Sequence, residues 1–135
     1  MKSSKDLLTD RFGRTVTSLR ISLTNRCNLD CIYCHSEGDE GTRNEMTVEM
    51  IAQIVDTASK FGVNKVKFSG GEPLVRKDFE DILRALPELK DVSVTTNGVL
   101  LKGRAHDLKE AGLDRVNVSL DTLDPDKYAY ITHGR

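Results

Sequence analysis

No stretch of this 135-residue chain approaches the ~20 consecutive apolar residues needed to cross a bilayer. Residues 1–16 alternate charged and apolar side chains where a secretory signal would carry a continuous apolar core. No membrane partner is expected, and the cytoplasm is the expected compartment. Neither charge is in excess: 20 Lys and Arg against 21 Asp and Glu leave a formal net charge of -1. Without a global positive field nucleic acid is not an expected partner, and an anionic ligand has to meet a local basic cluster. Cysteine is scarce, three residues that all fall between Cys27 and Cys34. An odd, clustered set in a cytosolic chain excludes a disulfide framework and points to metal or redox chemistry. A G-x-x-x-x-G-K-[ST] loop is also missing, so no phosphate is gripped in the P-loop manner.

What is present has the length of one domain with one core. After a polar leader over 1–16, Leu19, Ile21 and Leu23 alternate through Ser18–Thr24, the period of a strand. Asn25–Glu45 has no sustained period and reads as a long loop, a kind that is usually functional inside a compact domain. Thr47 suits an N-cap, and Val48, Ile51, Ile54, Val55, Ala58 and Phe61 recur at helical spacing until Gly62, which suits a left-handed C-cap. Lys65–Ser69 is a second strand, stopped by Gly70-Gly71-Glu72-Pro73.

The pattern then repeats. Asp78 can cap a helix carrying Phe79, Ile82, Leu83 and Leu86, and Val92–Thr96 is a third strand closed by Asn97-Gly98. A third helix over about Lys102–Ala111 ends at Gly112, Arg115–Leu120 is a fourth strand, and Asp124-Pro125 opens a helix that the chain barely begins. Strands separated by helices pair in parallel, so the class is α/β, with residues 17–135 as one core domain. In such sheets ligands sit at the carboxyl ends of the strands. Every unusual segment falls there: the cysteine loop, Gly70–Pro73, Thr95–Gly98 and Ser119–Asp121. One site built from four loops is predicted.

Cys27, Cys31 and Cys34 supply three thiolates from one short loop, enough for three irons of a cubane cluster with the fourth iron left open to a ligand. The alternative is a structural zinc held by the three cysteines and His35 in a closed Cys3His tetrahedron. Cys34 and His35 are adjacent, and neighbouring side chains seldom converge on one ion, which favours the cluster. Arg20 and Lys67 are inward charges on neighbouring strands, costly in a hydrophobic sheet unless they meet an anion.

C-x3-C-x2-C with Tyr33 before the last cysteine, following a first strand, resembles the signature of radical S-adenosylmethionine enzymes, and Gly70-Gly71-Glu72-Pro73 resembles their second motif. Asp10–Arg14, Leu19–Thr24, Gly70–Leu74, Thr95–Gly98 and Arg115–Asp121 together resemble the GTP 3′,8-cyclase family of molybdenum-cofactor biosynthesis, from about Asp10 to the last residue. The resemblance implies a 4Fe-4S cluster on Cys27, Cys31 and Cys34 that reductively cleaves S-adenosylmethionine, an electron donor for that cluster, and removal of ribose hydrogen from GTP to begin closure onto C8. It further implies that Tyr33, Gly70, Gly71, Glu72 and Ser119 meet S-adenosylmethionine while Arg20, Lys67 and Thr95 face GTP. Gly70 and Gly71 would let backbone approach a ligand that a β-carbon would push away. Position 67 carries lysine where the family often has arginine, so the charge is kept and the bidentate fork is lost.

The family builds an incomplete barrel of six β/α units and adds a C-terminal region with three more cysteines for a second cluster. This chain reaches only its fourth unit and has no cysteine after Cys34. The expectation is therefore the N-terminal four units of an incomplete (β/α)6 barrel, a truncated form or partial gene product. It should carry the initiating half of the site, fail to make cyclised GTP alone, and self-associate through its apolar fourth strand.

Overall fold

The structure is a computed structural model and describes residues 7–34 and 44–133. Its elements, in chain order, are β1 (Ser18–Ser22), α1 (Val48–Lys60), β2 (Lys65–Ser69), a 3-10 turn (Pro73–Val75), α2 (Phe79–Ala85), β3 (Asp91–Thr96), α3 (Ala105–Ala111), β4 (Arg115–Val118) and α4 (Pro125–Thr132). The strands form one sheet in the order β1-β2-β3-β4, every pair parallel. Consecutive neighbours joined by right-handed crossovers put all the connecting helices on the same face, the arrangement of an arc of a β/α barrel.

Alternation along the strands decides which face that is. Ile21, Phe68 and Val94 share one register row, with Val66 and Val92 on the same side. They pack into a single core with Ile51 and Val55 of α1, Phe79, Ile82 and Leu83 of α2 and Leu108 of α3. Phe68 and Phe79 meet edge to face, with ring centroids 5.4 Å apart at 84°, a geometry set by the ring quadrupoles. The other face is polar: Ser18, Arg20 and Ser22 of β1, Lys65, Lys67 and Ser69 of β2, Asp91, Ser93 and Thr95 of β3, Arg115 and Asn117 of β4. The expectation of an otherwise hydrophobic sheet around Arg20 and Lys67 is thus corrected. With helices on only one side, the strands alternate as half-buried strands do, and a charge on the open face keeps its water.

Local signals set most boundaries. Thr47 caps α1 by accepting from the Met50 amide at 3.2 Å, and Gly62 takes φ 101° just beyond its end. The buried stripe of α1 is narrower than its apolar pattern, since Ile54 and Phe61 face solvent while Ile51 and Val55 are fully buried. Asp78 precedes α2 but makes no side-chain cap, because its carboxylate is taken by Arg76 through bonds of 2.9 and 2.8 Å. The last helix is more than a beginning: Asp124 accepts from the Asp126 and Lys127 amides and α4 runs eight residues. The described part of the leader turns back on itself through a Thr9–Thr15 bridge and ties to α1 through the Leu8 amide and the Phe61 carbonyl, 3.0 Å.

Two arginines brace the segment after the diglycine turn. Arg76 is 4% exposed and donates to the Leu23 and Met46 carbonyls as well as to Asp78. Arg104 donates to the Leu74 and Arg76 carbonyls and to Glu80. These partners hold Asp78 and Glu80 below the ordinary carboxylate values of 3.8 and 4.5, chiefly through the hydrogen bonds from Arg76 and Arg104. A depressed folded-state value means the stabilisation is complete above those ordinary values and is lost as pH falls through the folded-state values. The urea midpoint is therefore expected to stay level down to about pH 5 and then to drop steadily in acid. A midpoint that stays unchanged down to about pH 2 would show that these pairs contribute nothing.

Candidate functional site

The cysteine loop leaves the end of β1 and is held by the ends of the other three strands. Past β1, the ladder to β2 continues: the Leu23 amide bonds Ser69 O at 2.9 Å, the Gly71 amide bonds Thr24 O at 2.7 Å, and the Glu72 amide bonds Arg26 O at 2.8 Å. The diglycine turn thereby grips the chain up to the residue before Cys27. Arg26 pairs with Glu45, and Glu45 also accepts from the Thr24 hydroxyl. Farther along, the Ile32 amide bonds Ile131 O of α4 at 2.9 Å, and the Tyr33 hydroxyl donates to Asp121 Oδ2 at 3.0 Å. Burial first, then the bonds to Asp121 and Cys31, push the Tyr33 hydroxyl above the ordinary tyrosine range, so it stays protonated.

The two glycines have a reason within the protein's own backbone. A β-carbon on Gly70 would lie 2.5 Å from Thr24 O, and one on Gly71 would lie 2.7 Å from Asn25 O and against Arg26 O. The space is filled by the chain entering the cysteine loop, so it is protein backbone that excludes a side chain. Gly70 also takes φ 148°, in the region that favours glycine. Glu72 is 1% exposed, and its carboxylate accepts from the Leu74 amide, the Thr96 hydroxyl and the Asn97 amide.

Cys27 and Cys34 are exposed, Cys31 is half-buried, and none is in a disulfide. Among the described residues no three His, Cys, Asp or Glu side chains stand close enough to hold a metal ion. His35, the fourth ligand of the zinc alternative, lies outside the described residues. The donor set itself suits iron and sulfide: three soft thiols on one loop anchored at both ends. Most of the Tyr33 side chain is exposed, and its hydroxyl reaches the β4 end through Asp121. Ser119 is exposed at the end of β4, its amide bonded to Thr96 O at 2.8 Å.

Arg20, Lys67, Ser93 and Arg115 occupy one register row across the open face, with Lys65 and Asp91 adjoining in the row below. They line a cleft of about 240 Å³. Arg115 is bound to Asp91 by bonds of 2.8 and 2.6 Å. The side chains of Arg20 and Lys67 make no hydrogen bond or ion pair to another described residue. Thr95 is half-buried, paired in register with Asn117, and one step nearer the cysteine loop on β3. The structure therefore gathers the predicted residues along one polar face and one sheet end. Asn28 and Asn97 bond each other there; Asn97 lay in the Thr95–Gly98 segment already singled out, but nothing in the sequence pointed to its pairing with Asn28.

This chain is 64% identical to the "Probable GTP 3′,8-cyclase" of Methanocella arvoryzae over 126 residues, covering 93% of the chain and 41% of that protein. It is 56% identical to the protein of the same name from Methanocaldococcus jannaschii, covering 91% of the chain and 42% of that protein. The chain thus spans about two fifths of the length of these relatives. Among solved structures, Streptococcus suis SuiB bound to S-adenosylmethionine superposes with a TM-score of 0.69 at 28% identity, covering 84% of this chain and 27% of that one. HydG, a maturase of the [FeFe]-hydrogenase, has a TM-score of 0.67 at 18% identity, a likeness of fold over 95% of this chain and 30% of that one. Residues 21–135, from β1 through the cysteine loop to α4, match the Radical SAM superfamily, and the chain belongs to it.

Proposed function

We propose that this chain forms the initiating part of a GTP 3′,8-cyclase, in which Cys27, Cys31 and Cys34 hold a 4Fe-4S cluster and the open sheet face receives GTP. The observation that carries the reading is the placement of Arg20 and Lys67, whose side chains have no partner among the described residues, on the same polar face whose upper end bears the cysteine loop. When bound, the cluster supplies the electron that cleaves S-adenosylmethionine. The protein's share is binding and orientation. The diglycine backbone and Ser119 stand at the strand ends beside the loop, where a methionine moiety can be held by backbone polar groups, and Tyr33 frames the β4 side. Arg20 and Lys67 offer positive charge to a triphosphate, and Thr95 lies between the phosphate row and the loop.

A peptide substrate is the nearest rival, since the similar Streptococcus suis SuiB is also known bound to its precursor peptide SuiA. Two neighbouring cations on a polar face, neither with a side-chain partner among the described residues, favour a polyanion over a peptide. The exposed β4 edge, with Val118 53% and Leu123 89% exposed nearby, supports self-association of the chain.

Reduced, reconstituted protein is expected to convert S-adenosylmethionine to methionine and 5′-deoxyadenosine and to bind GTP. Arg20→Ala with Lys67→Ala should weaken GTP binding by at least about tenfold, because hydrogen bonds to charged groups contribute ~1.5–3 kcal/mol each. Calorimetry for GTP and chromatography for 5′-deoxyadenosine read the two parts separately. Cleavage with unchanged GTP affinity in the double variant would leave a radical enzyme of another substrate. Stoichiometric, air-stable zinc in place of iron would overturn the cluster.

A further inference from the structure

Beyond the ligands themselves, something must hold Cys27, the first thiol of the loop, in a defined place. We infer that Asn97 is a positioning residue for the cysteine loop, carrying the grip of the buried Glu72 carboxylate on the end of β3 across to the backbone beside Cys27 through a side-chain hydrogen bond to Asn28. The inference rests on the reading of this loop as the cluster site.

The connection starts at Glu72. Its Oε1 accepts from the Thr96 hydroxyl at 2.5 Å and from the Leu74 amide at 3.1 Å, and its Oε2 accepts from the Asn97 amide at 2.7 Å. A buried carboxyl group that accepts from three donors is held firmly, since burying its oxygens without hydrogen bonds is costly. The Thr96 hydroxyl accepts in turn from the Gly98 amide at 3.1 Å. The backbone at Asn97 is therefore pinned from both sides.

The side chain of Asn97 then has one orientation open to it. Its Oδ1 accepts from the Val99 amide at 3.1 Å, an Asx turn, so its amino group faces the other way and donates to Asn28 Oδ1 at 2.7 Å. Asn28 lies between Cys27 and Leu29. Leu29 is buried, and its amide donates to Cys27 Sγ at 3.4 Å. The bond joins residues 69 apart in sequence. It also has a direction: residue 97 must donate and residue 28 must accept.

That direction supplies the test. Asn28→Asp keeps an acceptor, whereas Asn97→Asp keeps the acceptor for Val99 but removes the donor, and Asn97→Ala removes the donor, together with the Val99 acceptor, without adding charge. With reconstituted protein, both Asn97 variants are expected to lose iron to a chelator about tenfold faster than the unsubstituted chain, as for other partners that orient metal ligands. Asn28→Asp should stay close to the unsubstituted rate. In the protein before reconstitution, amide exchange at Leu29 should quicken in the two Asn97 variants and not in Asn28→Asp. Equal behaviour of Asn28→Asp and Asn97→Asp in both measurements would overturn the inference, because polarity would then not matter. If the unsubstituted chain takes up no iron, the cluster reading fails, while the Leu29 exchange comparison still decides the role of Asn97.

Discussion

Serine in place of Cys27, Cys31 or Cys34 is expected to cut the iron and sulfide taken up in anaerobic reconstitution from about four of each per chain to almost none. A serine hydroxyl stays protonated at neutral pH and is a hard oxygen donor, whereas iron–sulfur clusters are held by thiolates. In the proposed site each cysteine would supply one of only three thiolates, and Cys27, Cys31 and Cys34 are the sole cysteines of this 135-residue sequence, so none could substitute for another. The fold should barely notice, because Cys27 and Cys34 are exposed and Cys31 is half-buried. Metal analysis and visible absorbance set against a thermal melt therefore separate lost ligation from lost structure. A single serine variant with its full iron content would show that its cysteine is not a ligand.

Gly71→Val is expected to act on the fold before it acts on any ligand. A β-carbon there meets Asn25 O at 2.7 Å and abuts Arg26 O, and neither is the movable end of a side chain. Relief requires parting the turn from the loop entrance, which breaks the Gly71–Thr24 and Glu72–Arg26 bonds of 2.7 and 2.8 Å. Overpacking against backbone costs ~3 kcal/mol, which for a domain of this size lowers the melting midpoint by roughly 10 °C. The melt of the cluster-free chain is the measurement. A midpoint within about 2 °C of the unsubstituted value would show that the turn yields freely, and any loss of S-adenosylmethionine binding would then belong to the ligand contact alone.

The sheet was legible because local rules govern it. Alternation at Leu19, Ile21 and Leu23 named both the strand and its buried face, Gly62 and Gly112 marked helix ends through their backbone freedom, and strict strand–helix succession implied parallel pairing. The end of the sheet that carries the site followed from the same succession. Asp78 shows the limit of such rules. Its capping propensity was real, but Arg76, two residues away, offered its carboxylate a stronger, charge-assisted partner.

By itself the sequence determined the secondary elements, their parallel order, the three thiols on one loop and the resemblance that singled them out, since each depends on neighbours along the chain. Only the tertiary structure decided what surrounds those residues. Glu72 proved to be an internal tie to Thr96 and Asn97, the diglycine turn a fit against protein backbone, Tyr33 a partner of Asp121 88 positions away, and Asn97 the contact of Asn28. The physical reason is that periodicity and propensity describe a residue's own backbone and its exposure. The hydrogen-bond partner of a polar side chain at a strand end is set by which other loops the crossovers bring to the same end of the sheet.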